Sequence, residues 1–492
     1  MRLNPSRYIA PKVPTRERGT HPGLVAKLGS RLDTGQFAGL CLTLMGIAFI
    51  YLLLAFFGVV EDIVNHESIV SFDTRFANLL YEYRAPALVK VFLWITLLGK
   101  AKFVLVTSLA GTALFWIWNR KRYILPFWLT LGGSYLVIFL GKVVIHRQRP
   151  LEVGVYHEAF YSFPSGHAAI AAAVYGFIAY CVIRHVATWR NRLNLSFVAI
   201  VLIASIGFSR LYLGVHFLSD ILGGYLLGSL WLIIGICLVE IPAGREQEHC
   251  SAFFSRRMLQ SVTALILLSL AAFYVHTGKR YQPIINTAHE VATPIVVDDI
   301  IRGFEDLRLP KYTESIMATE GNPLNVIIIA QDDASLTAAM KKAGWQVPDP
   351  LGFDSIGKFA SSVFSGRSYL TAPIALGFWN ERANDLGFVK AALTDSPGLR
   401  REARFWKTRF STTDGRAIYT GLVNLTYGLS WWAIPKNSPD IDAEASGLFI
   451  DLRENGLIAS YDMRAFVKPL SWKDSGDKKY FTDGLIYVIR LQ

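Results

Sequence analysis

Long apolar runs alternate with short basic connections through the first part of the chain, and this pattern ends near residue 275. No charge falls between Asp33 and Glu61, and the apolar run 34–60 exceeds the ~20 residues needed to cross a ~30 Å hydrocarbon core. Further apolar runs at 101–119, 123–145, 167–187, 195–215, 217–240 and 258–275 bring the predicted transmembrane helices to seven. The stretch 85–99 is apolar but short, and Lys90 interrupts it, so an interfacial or re-entrant helix is expected there. Beyond 275 the pattern is that of a water-soluble domain. A capped helix is predicted over Asp332–Trp345, with Leu336, Ala339 and Met340 on one face and Gly344 as its stop. Strands are predicted at Asn325–Ala330, Ala417–Leu425 and Leu485–Leu491, between Asp, Gly and Pro turn signals.

The fold class expected is therefore an all-α polytopic membrane helix bundle followed by a soluble α+β domain. Residues 1–33 read as a basic cytoplasmic tail, too long and basic for a cleavable signal. Residues 34–245 read as a six-span unit, 246–275 as a cytoplasmic loop and seventh helix, and 276–492 as an extracytoplasmic domain.

Composition sharpens this picture. Of the 492 residues 52% are apolar and 18% charged, against ~25% charged in an ordinary soluble domain. Up to residue 275 there are 25 Lys and Arg against 13 Asp and Glu, and after it 25 of each, so the whole +12 net charge belongs to the membrane part. That is the signature of inside-positive loops, and no nucleic-acid partner is expected. Basic clusters at Arg120–Arg122, at Arg184, Arg190 and Arg192, and at Arg245, Arg256 and Arg257 recur at every second connection. Those connections are expected in the cytoplasm, which puts 61–100, 146–166, 213–217 and everything after 275 outside. Cys41, Cys181, Cys237 and Cys250 form no disulfide framework, and neither Cys nor His occurs after His289. The last two hundred or so residues thus offer no His- or Cys-ligated metal and no His-assisted nucleophile.

Three polar clusters sit at the outer ends of apolar runs: Lys142-x6-Arg149-Pro150, Pro164-Ser165-Gly166-His167, and Ser209-Arg210-x5-His216-x3-Asp220. Ionisable groups at membrane depth cost ~2.5–3.5 kcal/mol or more each, so their presence points to a polar site. Three fixed cations, two of them Arg forks, suit phosphate oxygens. A helix beginning at Ser165-Gly166 offers backbone N–H groups to the same anion. His216 and Asp220 are one helical turn apart, so the carboxylate can orient one ring nitrogen and leave the other free to attack. His167 is then available as general acid. His146, Arg147 and His157 have no matching role and read as loop residues near lipid headgroups.

These clusters, in this order, resemble the type 2 phosphatidic acid phosphatase family, whose fold is shared with vanadium haloperoxidases and bacterial acid phosphatases. The resemblance covers roughly 36–240 and is met at each fixed position of the three motifs. It implies that Lys142, Arg149 and Arg210 hold the phosphoryl group with Ser165 and Gly166. It further implies that His216 becomes a phosphohistidine, Asp220 orients it, His167 assists the leaving group, and no metal or other cofactor takes part. The region from Asp332 through Trp345 to Trp406 resembles the LssY-type C-terminal domain that often follows such phosphatases. Its Arg400, Arg401, Arg404, Lys407 and Arg409, with Phe405, Trp406 and Phe410, read as the solvated basic face of a helix packed through its aromatics.

The function expected is a phosphohydrolase for a lipid phosphate or diphosphate at the outer face of a bacterial inner membrane. Polyprenyl diphosphate, phosphatidic acid, phosphatidylglycerophosphate and lipid A phosphates all qualify, and a periplasmic protein or glycolipid is a candidate partner for 276–492. The rivals are a lipid phosphotransferase using the same phosphohistidine, and a non-catalytic lipid-binding or translocation protein.

Overall fold

The computed structural model describes residues 37–150, 153–243, 255–283, 294–350 and, with short breaks, 352–492. The basic tail expected at 1–33 and the cytoplasmic loop expected from 246 to 254 lie outside the described residues.

Among the described residues the membrane half consists of helices α1 (Leu42–Val64), α2 (Ser68–Glu82), α3 (Pro86–Leu97), α4 (Ala101–Ile117), α5 (Ile124–Ile145), α6 (Gly166–Arg184), α7 (Trp189–Tyr212), α8 (Leu218–Ala243) and α9 (Arg256–Arg280). Six of these are long and apolar enough to cross a membrane. Helix α4 falls short of that measure at 17 residues, yet its ends touch opposite ends of the bundle. Lys100, just before it, lies 5.8 Å from the Tyr156 ring centroid, whereas Trp118, just after it, donates to Thr263 Oγ1 at the far end. Helix α3 has 12 residues, about 18 Å of rise, which is too little to span. It packs flat against α7, with Phe92 5.4 Å from Phe208 and 4.6 Å from Tyr212 between ring centroids.

Leu44, Ile47, Ile50, Leu54 and Phe57 of α1 are exposed, as suits a helix facing lipid on most of its surface. Buried Phe127, Leu131, Ile138, Ala169, Val174 and Phe177 form the bundle core. Close approach of α8 to α6 depends on small residues: a Cβ at Gly228 would lie 2.2 Å from the Ala169 carbonyl oxygen, and one at Gly224 2.6 Å from that of Ser165.

Helix α2 is not expected from the sequence. It is short and amphipathic, and carries Asp73 and Arg75, both buried.

In the soluble domain an eight-stranded mixed sheet carries helices on both faces. Its strands are β1 (Ile295–Val296), β4 (Val326–Ala330), β7 (Leu386–Ala391), β8 (Arg400–Ser411), β9 (Ala417–Leu429), β10 (Pro435–Asn437), β11 (Ile458–Ala465) and β12 (Leu485–Leu491). The main order is β1-β8-β9-β4-β12-β11, with β7 on β8 and β10 on β9. A second sheet, β3-β2-β5-β6, uses β2 (Tyr312–Glu314), β3 (Glu320–Pro323), β5 (Phe378–Trp379) and β6 (Arg382–Ala383). Helices α11 (Asp333–Lys342) and α12 (Ile441–Glu454) bury Leu336, Met340, Leu448 and Leu452 on one face of the large sheet. Helix α10 (Ile300–Asp306) places Phe304 on the other, with Trp379, Trp406 and Phe410.

Arg400–Phe410 is not the helix with a solvated basic face expected from the sequence but the buried strand β8. Phe405 and Trp406 enter opposite cores, so both faces of the strand are covered. Arg401 bonds Glu444 at 2.8 Å and Asp451 at 3.0 Å, and Arg404 bonds Glu402 at 2.5 Å. These cations are bound to acids of the domain itself, while Arg409 is exposed.

Candidate active site

Four helix ends meet at one end of the bundle, and each delivers part of a sequence cluster. Lys142 lies in the last turn of α5. The chain turns at His146 through a left-handed conformation (φ 53°) and runs inward through Arg147 and Arg149. Ser165 then stands just before the first turn of α6, its backbone N–H donating to the Asp220 carbonyl at 3.0 Å. Helix α7 ends on Ser209 and Arg210, and α8 opens with Ser219 and Asp220, joined by a tight turn that holds His216. Gly214 in that turn has φ +65° and sits against the Val153 carbonyl, a place for glycine alone.

The geometry assigns the His216 tautomer. Arg149 Nη1 lies 3.1 Å from His216 Nε2, and a guanidinium can only donate, so Nε2 accepts and the proton is on Nδ1. Nδ1 faces Asp220 Oδ2 at 3.3 Å, an oxygen that also accepts from Phe217 N at 2.8 Å. Burial, reinforced by Arg149, Arg210 and Lys142, pushes the His216 pKa well below the ordinary imidazole value and keeps the ring neutral. A neutral imidazole with its lone pair on Nε2 and its N–H held by a carboxylate is the form a nucleophile requires.

The three expected cations line the same site. Lys142 Nζ donates to the Tyr161 and Ser162 carbonyls. Arg210, fully buried, donates to Thr96 Oγ1 at 2.8 Å and to Tyr156 Oη at 2.5 Å. Arg149 reaches the Phe160 and Val215 carbonyls as well as His216. Ser165 Oγ, His167 Nε2 and Arg210 Nε are buried without a hydrogen-bond partner, and an anion between them would supply acceptors to the donors among them. Among the described residues no group of three or more His, Cys, Asp or Glu could hold a metal ion.

Several residues escape the sequence reading. Arg147, expected among headgroups, is instead half-buried and turned into the site: it donates to Asp220 Oδ1 at 2.9 Å, to Asp73 Oδ2 at 2.7 Å and to Ser219 Oγ at 2.5 Å. Asp73 in turn accepts from the Ser219 backbone N–H at 3.0 Å. Ser162 Oγ adds a longer contact of 3.4 Å to Asp220. Glu158 pairs with both Arg149 and Arg210. Gly99 abuts His167, where a Cβ would come within 2.5 Å of the ring. Asp73 and Arg147 offer only their opposite charges as a signal, each among other polar residues of its connection. Gly99 leaves none in a single sequence.

The soluble domain docks on this same end. Arg75 of α2 donates to Glu314 Oε2 at 2.5 Å, and Asn78 donates to the Glu381 carbonyl at 2.7 Å. His157 and His146, by contrast, stay on the exposed loop.

A helix bundle that gathers a carboxylate-held histidine and three cations at one end defines a membrane-embedded phosphoesterase. The chain belongs to the PAP2 superfamily, whose family model matches residues 123–241, and a second model, the LssY C-terminus, matches 307–486. Phosphatidylglycerophosphatase B of Bacillus subtilis (strain 168) is 33% identical over 183 residues, which cover 36% of this chain and 88% of that protein. Sphingosine-1-phosphate phosphatase 1 of Rattus norvegicus is 30% identical over 148 residues, covering 27% of this chain and 32% of the relative. Among solved structures, a transmembrane PAP2 type phosphatidylglycerolphosphate phosphatase from Bacillus subtilis matches 41% of this chain and 98% of its own, with 30% identity and a TM-score of 0.37.

Proposed function

We propose that this protein hydrolyses a lipid phosphate or diphosphate at the outer face of the membrane through a phosphohistidine on His216. The observation that carries the reading is the pairing of His216 Nδ1 with Asp220, which leaves Nε2 to face the cation cluster. In the first step Nε2 attacks phosphorus, a P–N bond forms and the P–O bond to the lipid breaks. His167 delivers a proton to the leaving oxygen. In the second step water attacks the phosphohistidine, its proton returns to His167, and inorganic phosphate leaves with His216 neutral again. Lys142, Arg149 and Arg210, with the N–H groups at the start of α6, hold the phosphoryl oxygens and offset the charge that builds on them. Asp220 keeps the imidazole oriented and balances its charge while phosphorylated.

The outer-face assignment rests on the basic connections. Tyr123, next to Arg120–Arg122, bonds His185 at 3.1 Å, so the basic clusters around 120 and 190 share the bundle end away from the site. A lipid substrate follows from a site at the bundle end, reached at headgroup level, and from the lipid phosphates named for the relatives. The test is phosphate release by the purified protein from a panel of lipid monophosphates and diphosphates in EDTA. Release without an added acceptor supports hydrolysis, and release only when a second lipid is supplied would make the protein a phosphotransferase. No turnover of any member would leave the binding or translocation reading in its place.

A further inference from the structure

A phosphate site open to a bilayer surface meets an excess of bulk phosphodiester headgroups, each bearing one negative charge. Any phosphomonoester, with up to two charges, is a minority competitor there. The site must therefore separate two ligands that share most of their chemistry, and separation by charge needs an element that penalises the monoanion.

Glu158 has the position and the charge to do so. Its Oε1 accepts from Arg210 Nη2 at 2.5 Å, and its Oε2 lies 2.9 Å from Arg149 Nη2. One carboxylate thus bridges two guanidinium groups, as two oxygens of a phosphoryl group would. The remaining nitrogens of Arg149 face the Phe160 and Val215 carbonyls and His216, and Arg210 Nη1 faces Thr96 and Tyr156. Arg210 Nε has no partner, but an entering phosphoryl group must displace Glu158 to bridge the Nη2 atoms of both arginines. The residue can give way, since it lies on the loop between α5 and α6 and its side chain is 26% exposed, against 0% for Arg210. Burial raises the Glu158 pKa, but Arg210 and Arg149 outweigh it and hold the carboxyl well below the ordinary range, so it stays an anion at working pH.

We propose that Glu158 is a specificity-determining residue, a tethered monoanion that guards Arg149 and Arg210 against phosphodiesters and yields to a dianionic phosphate. A phosphodiester exchanges one negative charge for another and gains nothing over a carboxylate already in place. A phosphomonoester brings a second charge to the same pair of cations. The proposal rests on the reading that these arginines hold the substrate phosphate.

The experiment uses the full-length protein in neutral detergent micelles with dioctanoyl phosphatidic acid as substrate and increasing mole fractions of phosphatidylglycerol as the phosphodiester. Glu158→Gln keeps the size and one acceptor but removes the charge. Its KM in neutral micelles should fall, and phosphatidylglycerol should inhibit it at about tenfold lower mole fraction than the parent, with kcat little changed. Glu158→Asp, which keeps the charge, should stay resistant. Unchanged sensitivity of Glu158→Gln, or equal loss of resistance in both variants, would overturn the proposal in favour of a loop-pinning role. Orthovanadate binding by calorimetry separates the two readings. If parent and variant bind it equally well, the phosphate site stands and the guard falls; if neither binds it, the phosphate-site reading itself fails.

Discussion

Arg147 joins Asp220 to Asp73: one of its terminal nitrogens lies 2.9 Å from Asp220 Oδ1 and the other 2.7 Å from Asp73 Oδ2. Asp220 is thereby held on both oxygens, by Arg147 on one and by Phe217 N–H and His216 on the other. Truncating Arg147 leaves two carboxylates buried without their counter-charge, a loss of ~3–5 kcal/mol for a broken buried pair. Arg147→Ala is therefore expected to lower the melting temperature in detergent and to reduce kcat by about 10- to 100-fold, by analogy with loss of the outer partner of a metal ligand. Asp73→Asn should do less to kcat, because Asp220 keeps its own contact with Arg147. Equal kcat in Arg147→Ala and the parent would remove Arg147 from the machinery.

Replacing the proposed nucleophile gives the sharpest outcome. His216→Ala should insert and fold, since the residue lies in the turn before α8, yet retain less than about a hundredth of the parent rate. Samples of the parent quenched in alkaline detergent, but not those of the variant, should carry base-stable, acid-labile phosphate on the protein. A variant turning over at near-parental rate would exclude the phosphohistidine.

The pH dependence has a definite sign. In the proposed mechanism His216 attacks as the neutral ring, and burial with the neighbouring cations moves its pKa well below 6.5. The neutral fraction is therefore maintained as pH falls through 6.5 and declines only at more acid values. In a profile of kcat/KM corrected for the second ionisation of the substrate, the acid limb assigned to His216 should lie below 6.5. Arg149→Gln removes a cation beside the ring and should move that limb upward. A parental limb at or above 6.5 would contradict the assignment.

In the proposed mechanism three side-chain cations take the part that a metal plays in other phosphoryl-transfer sites. Orthovanadate, which adopts the five-coordinate geometry of the transfer, should inhibit competitively with substrate, and EDTA should leave the rate unchanged. Activity abolished by EDTA and restored by magnesium would overturn the mechanism.

Orientation is checked by cysteine labelling in a variant lacking the four native cysteines. A cysteine at position 157 or 350 should react with an impermeant thiol reagent in intact spheroplasts, and one at position 121 or 188 should not. The reverse pattern would place the site in the cytoplasm.

Much of the membrane half is legible because a run of twenty or so uncharged residues suits little besides a lipid bilayer, and because Lys142, Arg149, Arg210, His216 and Asp220 stand out against such runs. What stays hidden depends on distance along the chain. Arg147 has its meaning only beside Asp73, 74 residues away, and read singly it looks like a headgroup contact. Helix α2 carries enough polar residues to pass for a connection. Strand β8 reads as a helix because a sheet covered on both faces shows no alternation, so Phe405 and Trp406 side by side with several arginines mimic an amphipathic pattern. The acids that neutralise Arg401, Glu444 and Asp451, come from α12 much later in the chain, whereas Arg400 and Arg404 share Glu402 of the same strand.

Helix α2 carries one further consequence. Asp73 and Arg75 are two residues apart, about 200° around a helix, so one side chain points into the catalytic bundle while the other engages Glu314 of the soluble domain. The helix behaves like an axle with a tooth on each side. Any roll that followed a displacement of the soluble domain would withdraw the Asp73 carboxylate from Arg147 and Ser219 at the same moment. One helix of 15 residues thus carries both a contact to the soluble domain and a contact to the Arg147 that holds Asp220.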